Sequence, residues 1–405
     1  MERIGIIGAG PAGIIAAGMA SLAGKEVYLF EKNNRIGRKL YITGKGRCNI
    51  TNAAPIDEFF DYIVSNKSFL YSSLYSFTNE DTIILFNKLG LKTKVERGNR
   101  VFPESDKSSD VIKVFMKFLD DSKVRLLLDT QVKSIERQGN KFIVSTNKNS
   151  LVFDKIIITT GGVSYPLTGS TGDGYKFAEK FGHTIVSPKP SLVPIEVKED
   201  WIKDLQGLSL KNVSLKSTYK GKIIHEEFGE MLFTHFGISG PIVLTTSNFI
   251  HNYLGKDIKF SIDFKPALDY EKLDNRMLRD FKDQPNKLLK NSLNGLLPQR
   301  IIPLVIEISQ IDPEKNINQI RKDERTSLIN IIKNFPLTYK SLRPIKEAII
   351  TSGGVSTKEI NPSTMESKIV KNLYFAGEII DVHALTGGFN LQIAYSTGYL
   401  AGTSV

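Results

Sequence analysis

Ile4-Gly5-Ile6-Ile7 runs directly into Gly8-Ala9-Gly10-Pro11-Ala12-Gly13, and Glu31 follows the last of these glycines by 18 residues. The apolar run suits a strand buried in a parallel sheet. Residues 11–23 are small and apolar, as a helix packed closely on a sheet must be. Residues 25–30, Lys-Glu-Val-Tyr-Leu-Phe, read as a second strand that ends at Glu31. Strand, glycine turn, helix, strand and acid in this order make a dinucleotide-binding βαβ unit. Gly8 allows the tight turn, Gly10 leaves room for a pyrophosphate, and Gly13 lets the helix approach the strand. The helix start at Pro11 and Ala12 turns positive potential and free amides toward phosphate. Glu31, followed by Lys32, can accept hydrogen bonds from ribose hydroxyls, and its charge disfavours a 2′-phosphate. The unit is therefore not expected to hold NADP.

Later segments point to FAD. Residues 35–47 read Arg-Ile-Gly-Arg-Lys-Leu-Tyr-Ile-Thr-Gly-Lys-Gly-Arg. They resemble the Arg-x-Gly-Gly-Arg segment of many FAD oxidoreductases, with Ile36 in place of the first glycine. Gly37 lies in that segment, and Arg38 and Lys39 can balance pyrophosphate charge. Gly44 and Gly46 let backbone pass close to a ligand. Residues 124–129 and 141–146 alternate as strands do, with Val132 between them; by its resemblance to FAD enzymes of this layout, Val132 is expected to pair its backbone with adenine. The strand from 154 to 158 ends in Thr159-Thr160-Gly161-Gly162, which resembles the Ala-Thr-Gly turn that returns the chain to the cofactor in FAD enzymes. Near the C-terminal side, Leu373-Tyr374-Phe375-Ala376-Gly377-Glu378 resembles a strand whose terminal carboxylate binds the ribityl chain, with Glu378 in place of Asp. Gly387-Gly388-Phe389-Asn390-Leu391-Gln392 then opens an apolar helix to about Ala401, whose first amides suit the pyrimidine end of a flavin. FAD is long, and its fold uses both ends of the chain.

Four motifs occur in order: Gly37-Arg38-Lys39 with Gly44-Lys45-Gly46-Arg47-Cys48-Asn49; Ser164-Tyr165-Pro166 with 169–174; 233–241; and Ala376-Gly377-Glu378 with Asp381 and 387–392. Together they resemble the bacterial family of NAD(P)/FAD-dependent oxidoreductases that includes aminoacetone oxidases and bile-acid 3-oxo-Δ-reductases. The resemblance covers essentially the whole chain, and departs from the pattern at Ala384, where glycine is expected. It implies an α/β protein, a Rossmann-like FAD-binding domain interrupted by a β-rich, barrel-like domain and a small helical lobe. Pro188, Pro190 and Pro194 mark a boundary, and short β-like runs fill 191–265. Helical spacing runs through 270–333, and 348–355 reads as a returning strand and turn. The expected domains are 1–190 with 365–405, 191–270 with 340–364, and 271–339.

The ring of the flavin would perform hydride transfer, so no catalytic triad is needed. His235 is a candidate acid or base, beside a helix start in which Ser239 caps and Pro241 opens the first turn. Asp381, His383 and Tyr165 are the other candidates for contact with flavin or substrate. Each has a structural reading too: a histidine tying a turn, a cap before the last helix, an aromatic packed beside proline. Cys48 is the single cysteine, which excludes a disulfide pair and a cysteine-rich metal site. It reads as a small residue beside the flavin loop, and Asn49 and Asn390 as loop or flavin contacts. His183, His225 and His251 lack metal-ligand spacing, and no metal is expected.

No second glycine turn of this type is present, so reduced NAD(P)H would visit the flavin transiently. No apolar run reaches the ~18–20 residues of a membrane helix, and the chain opens on a strand rather than a leader, which implies a cytoplasmic protein. The net charge of +11 reads first as a lysine-rich surface. The leading expectation is an FAD oxidoreductase acting on a small carbonyl, enone or amine, as an NAD(P)H reductase or an oxidase using O₂. A flavoprotein acting on RNA is the alternative that the charge leaves open, and a non-catalytic flavin-bound regulator is the third. The residues specify no oligomeric state.

Overall fold

The computed structural model describes residues 1–405. The chain divides into two compact units, residues 1–191 with 345–405 and residues 192–344.

In the first unit, β1 (Arg3–Ile7) is the middle strand of a five-stranded parallel sheet. α1 (Pro11–Leu22) leaves it through the glycine turn, and β2 (Glu26–Phe30) returns beside it, with Ile7 opposite Phe30. β3 (Arg125–Leu127), β4 (Lys155–Ile158) and β5 (Leu373–Phe375) complete the order β5-β4-β1-β2-β3. Ile4, Ile6, Leu29, Ile156 and Ile157 are wholly buried, as in a sheet covered on both faces. α2 (Phe389–Ser404) lies against α1 with backbone nearly touching backbone. A Cβ on Gly398 would come 2.4 Å from the Ala12 carbonyl oxygen, and one on Gly402 would come 2.5 Å from that of Ala16. A larger residue at either place would force the helices apart.

Three smaller sheets decorate this unit. Thr51–Asn52, Arg100–Pro103 and Thr93–Glu96 form one, and Val132–Gln138, Lys141–Thr146 and Ser150–Phe153 another. In the third, Ile350–Val355 pairs antiparallel with Ile185–Ser191, Ser191 opposite Ile350. That pairing draws 345–364 into the nucleotide-binding unit, although the sequence pattern grouped 340–364 with the β-rich lobe.

The second unit contains a closed barrel of six strands, in the order Ile195–Val197, Gly237–Ser239, Lys222–Phe233, Ser209–Tyr219, Ile258–Asp263 and Phe335–Leu342. Phe335, Leu337 and Tyr339 alternate inward on the last of these. The sequence pattern placed 335–339 in a helical lobe. They form a barrel strand instead, and the helices Tyr270–Asp283, Ile302–Ile308 and Lys322–Lys333 share one apolar core with the barrel. Ser239 ends a strand and caps nothing; Gly240, at φ +98°, precedes the helix that Pro241 begins. No helix of either unit is long and apolar enough to cross a membrane.

Candidate functional site

The glycines after β1 do different work. Gly8 has φ +109°, and a Cβ there would lie 2.7 Å from the Thr159 carbonyl oxygen. A Cβ on Gly13 would lie 2.0 Å from the Gly8 carbonyl oxygen. These two positions close the protein on itself. Gly10 is open: a Cβ there would meet nothing within 4 Å. At the end of β2, Glu31 Oε2 accepts the Ala9 N–H at 3.0 Å, and Oε1 accepts the Asn33 backbone N–H at 2.9 Å and Asn33 Nδ2 at 2.6 Å. Asn33 Oδ1 in turn accepts from Arg38 at 2.7 Å. Asn33 therefore fixes both the acid and a neighbouring cation, a role that its type and position did not announce.

A cavity of about 520 Å³ begins at this turn, within the ~300–1,000 Å³ usual for ligand sites. Gly8, Gly10, Pro11, Ala12, Glu31 and Lys32 line one part of it, and Val132, Thr160 and Gly161 another. Gly37, Arg38, Lys39, Gly44 and Asn49 continue the wall. Gly377, Glu378, Gly388, Asn390 and Leu391 close it, so segments nearly 400 residues apart meet around one space. Gly13, Gly162, Phe389 and Gln392 do not line it, nor do Gly46, Arg47 and Cys48.

Several side chains carry roles that the sequence assigned otherwise. Lys39 Nζ contacts Glu378 at 2.7 and 3.0 Å and Ser164 Oγ at 2.6 Å. Its charge is thus matched by Glu378 rather than left for a pyrophosphate; Arg38 keeps its charge at the cavity. Glu378 Oε1 also accepts the Thr351 N–H at 2.9 Å. Thr351 Oγ1 accepts the Val163 and Ser164 N–H groups, a crosslink with no sequence signature. Arg47 is withdrawn from the cavity by Glu96 and Asp106. Arg47 holds the Glu96 carboxyl below its ordinary range, and Lys94 with Arg47 does the same for Asp106.

The Gly44–Asn49 loop is strained. Lys45 and Cys48, neither of them glycine, have φ +58° and +61°. Such positions cost about 1–3 kcal/mol each and persist only where surroundings enforce them. Cys48 is fully buried, and burial pushes its thiol up to about 12. It packs behind the loop, where little of it would be thiolate at neutral pH.

The wall near Gly387 depends on α2. Asn390 grips one loop residue from both sides, accepting the Ala384 N–H at 2.9 Å and donating to the Ala384 carbonyl at 2.7 Å. Ala384 is itself wholly buried. Gln392 bonds Thr51 and Thr82 hydroxyls at 2.7 and 2.9 Å and donates to the Phe77 carbonyl. A Cβ on Gly388 would lie 2.4 Å from Thr51 backbone, so α2 starts hard against the 51–52 strand.

Of the four acid–base candidates, only Tyr165 lines the cavity. It adopts φ +50°, and burial followed by the Glu347 charge raises its hydroxyl above the ordinary value. Asp381 bonds Asn66 Nδ2 at 3.0 Å, and burial raises its carboxyl. His383 is buried with Nδ1 2.9 Å from Ser65 Oγ. Both tie the 380s loop to residues 62–66, where Val64 and Leu385 N–H groups also bond across. His235 is exposed on the barrel turn between Lys222–Phe233 and Gly237–Ser239, edge-on to Phe236. No group of three or more His, Cys, Asp or Glu side chains could hold a metal ion.

The residues present fit FAD. Asn49 Oδ1 and Thr160 Oγ1, on two wall residues, are buried polar atoms without a hydrogen-bond partner, as atoms awaiting a polar ligand would be. Gly10 supplies the clear approach to a phosphate. A cavity that starts at a Rossmann glycine turn and is finished by the last strand and helix defines a class: the protein is an FAD-dependent oxidoreductase. More narrowly, the chain belongs to the family described as HI0933-like protein Rossmann domain, whose model matches residues 2–404. It is 32% identical over 406 residues to a 3-dehydro-bile acid delta(4,6)-reductase of Clostridium scindens, covering 99% of this chain and 98% of that protein. It is also 32% identical to ribosomal RNA dihydrouridine synthases of Haemophilus influenzae, over 406 residues, and Escherichia coli, over 402. Those matches cover 99% and 98% of this chain and 97% of each relative. Among solved structures, a 3-ketosteroid delta1-dehydrogenase from Sterolibacterium denitrificans shares the fold at TM-score 0.53 and 13% identity, with 99% of both chains covered.

Proposed function

We propose that this protein reduces a carbon–carbon double bond conjugated with a carbonyl, that the bond belongs to a uracil base in RNA, and that NAD(P)H supplies the electrons. The two kinds of relative named above differ in substrate and agree in chemistry. A 3-oxo steroid with a Δ4 bond and a uracil with its C5–C6 bond are both conjugated to a carbonyl. Reduction of either adds a hydride to the carbon β to the carbonyl and a proton to the α carbon. Bound FAD supplies the hydride, drawn from reduced nicotinamide.

The protein's own residues do the rest. Gly10 and the α1 amides receive the pyrophosphate, and Glu31 receives ribose hydroxyls. Asn49 and Thr160 offer the buried polar atoms that a bound cofactor satisfies. Arg38 supplies the positive charge beside the phosphates. The proton for the α carbon comes from Tyr165 Oη, because Tyr165 alone among the acid–base candidates lines the cavity. A phenol carries its proton at neutral pH, and burial followed by the Glu347 charge raises this one further. This placement of Tyr165 is the observation that carries the mechanism. RNA is preferred to a free enone because the chain bears a net charge of +11.

The test is anaerobic incubation of the FAD-loaded protein with NADPH and deproteinised ribosomal RNA, or with a 3-oxo-Δ4,6 bile acid, followed by mass spectrometry. Gain of two hydrogens on uridine in RNA is the expected result. Gain on the bile acid alone would move the assignment to a small enone. Gain on neither, while NADPH bleaches the flavin, would overturn the proposed reaction. Tyr165→Phe should retain bound flavin and lose product formation by about 100-fold or more; undiminished turnover would remove the tyrosine from the mechanism.

A further inference from the structure

We infer that Arg97, Arg100 and Lys45 form a phosphate clamp at the rim of the cavity, for a single-stranded stretch of RNA whose target base enters it. This inference rests on the RNA reading above and adds where the strand lies.

The hairpin Thr93–Glu96 and Arg100–Pro103 carries the two arginines at its tip, through the turn Arg97–Asn99. One side chain joins that tip to the cavity wall: Asn52 Nδ2 donates to the Gly98 carbonyl and to the Gly387 carbonyl, both at 3.0 Å. Gly387 and Lys45 both line the cavity. On the other side of the tip, Phe102 lies 3.3 Å from where a Gly44 Cβ would stand, which brings the hairpin against the loop that carries Lys45.

The charges at this rim are uncompensated. Lys45, Arg97 and Arg100 are exposed and form no ion pair. The sole hydrogen bond among their side chains runs from Arg100 Nε to the Arg97 carbonyl at 3.0 Å. The nearby acids, Glu96 and Asp106, are already engaged by Arg47 and Lys94. Like charges held together on a stiff hairpin repel one another, and a polyanion relieves that repulsion.

A stacking surface borders the same rim. Tyr62 stacks on Phe389 at 4.2 Å and 11°, and is 38% exposed. Phe389 in turn lies against Gly387, 2.7 Å from the position of a Cβ there. Cations for the backbone and an open aromatic face for a neighbouring base are the two elements of single-strand recognition. A single strand is also what the chemistry requires, since a base stacked in a duplex cannot enter a cavity.

The experiment measures binding of a fluorescein-labelled oligouridylate to the full-length FAD-loaded protein by anisotropy, across a salt series. Wild-type affinity should fall log-linearly with salt. Arg97→Gln with Arg100→Gln should reduce that slope by about 1.4, about 0.7 for each single-strand phosphate left without its cation. Arg97→Lys with Arg100→Lys, which keeps both charges, should leave the slope near the wild-type value. Flavin absorbance reports that each variant is folded; should the glutamine pair lose flavin, Arg97→Gln alone replaces it, with about 0.7 expected. A glutamine variant that keeps its flavin and its full salt slope overturns the clamp and leaves the RNA reading standing. A wild type that binds no oligouridylate and no ribosomal RNA at low salt overturns both.

Discussion

At the Gly8–Gly13 turn and Glu31, the cavity wall is mostly backbone, and glycines decide where it stands. Around Gly44–Asn49 and Gly377–Gln392 it is backbone again, but side chains hold it in place. Lys39 is tied to Glu378, Asn390 to Ala384, Gln392 to two threonines, and Arg47 to Glu96 and Asp106. The first end is built by removing atoms and the second by adding bonds. Where omission brings backbone against backbone, as at Gly8 and Gly13, nothing larger is tolerated, and an end made by bonding fails when a partner is removed.

The largest effect that could break this contrast lies in the second end. If Cys48 stays packed behind the Gly44–Asn49 loop, its thiol, raised to about 12 from its ordinary 9.0, has about a thousandfold less thiolate than a free cysteine. Alkylation of the native protein by iodoacetamide should be slower than that of the urea-unfolded chain by about that factor. A native rate within about tenfold of the unfolded rate would mean that the loop opens freely. The linkage has a definite sign. Between pH 9 and pH 12 the native state keeps a proton that the unfolded chain releases, so stability is full below pH 9 and falls as pH rises toward 12. The Cys48 share of the loss approaches about 1.4 kcal/mol per pH unit, and Cys48→Ala should remove that share in urea titrations, while the buried Tyr374 hydroxyl, raised to about 12, keeps its own.

Next in size is the first end. Gly13→Ala should cost about 3 kcal/mol or more, since its Cβ strikes the Gly8 carbonyl. Gly10→Ala should leave the melting temperature of the flavin-free protein unchanged and weaken FAD binding by about tenfold or more. Equal destabilisation by the two variants would show that Gly10 is as enclosed as Gly13 and dissolve the distinction. The smallest effect belongs to the bonded end. Gln392→Leu removes partners from the Thr51 and Thr82 hydroxyls and should cost about 2 kcal/mol, read by urea unfolding. A neutral outcome would place the strength of that end in the contact between Gly388 and Thr51 instead.

The same contrast explains what could be read from the chain before its structure. Glycine spacing is a record of backbone crowding, so Gly8, Gly10, Gly13 and the acid at Glu31 were legible at once. The strand at 373–375 and the helix after Gly388 were legible for the same reason. Bonded walls leave fainter marks. Lys39 and Arg47 are basic residues in a flavin-type motif, yet each faces a carboxylate distant in sequence. Asn33 and Thr351 are polar residues of common type whose importance comes entirely from what they face. The close approach of Gly398 and Gly402 to α1 was hidden by an evenly apolar helix. In the barrel, alternation revealed most strands, but Phe335–Leu342 continued a helical run so smoothly that only closure with Ile258–Asp263 exposes it. Ser239 and Pro241 matched a helix-start pattern; Gly240, between them, takes the cap position instead.

The packing of α2 on α1 also sets the order of events in the cell. About 340 residues separate Glu31 from Leu373, which at about 5–20 residues per second is roughly twenty seconds to a minute of translation. During that interval the groove at Ala12 and Ala16 has emerged, while Gly398 and Gly402 have yet to be made. A nascent chain thus exposes a phosphate-binding turn with no opposite wall to retain a nucleotide. The cavity is therefore finished late in synthesis, and a chain interrupted before Gly377–Ala394 lacks one of its walls.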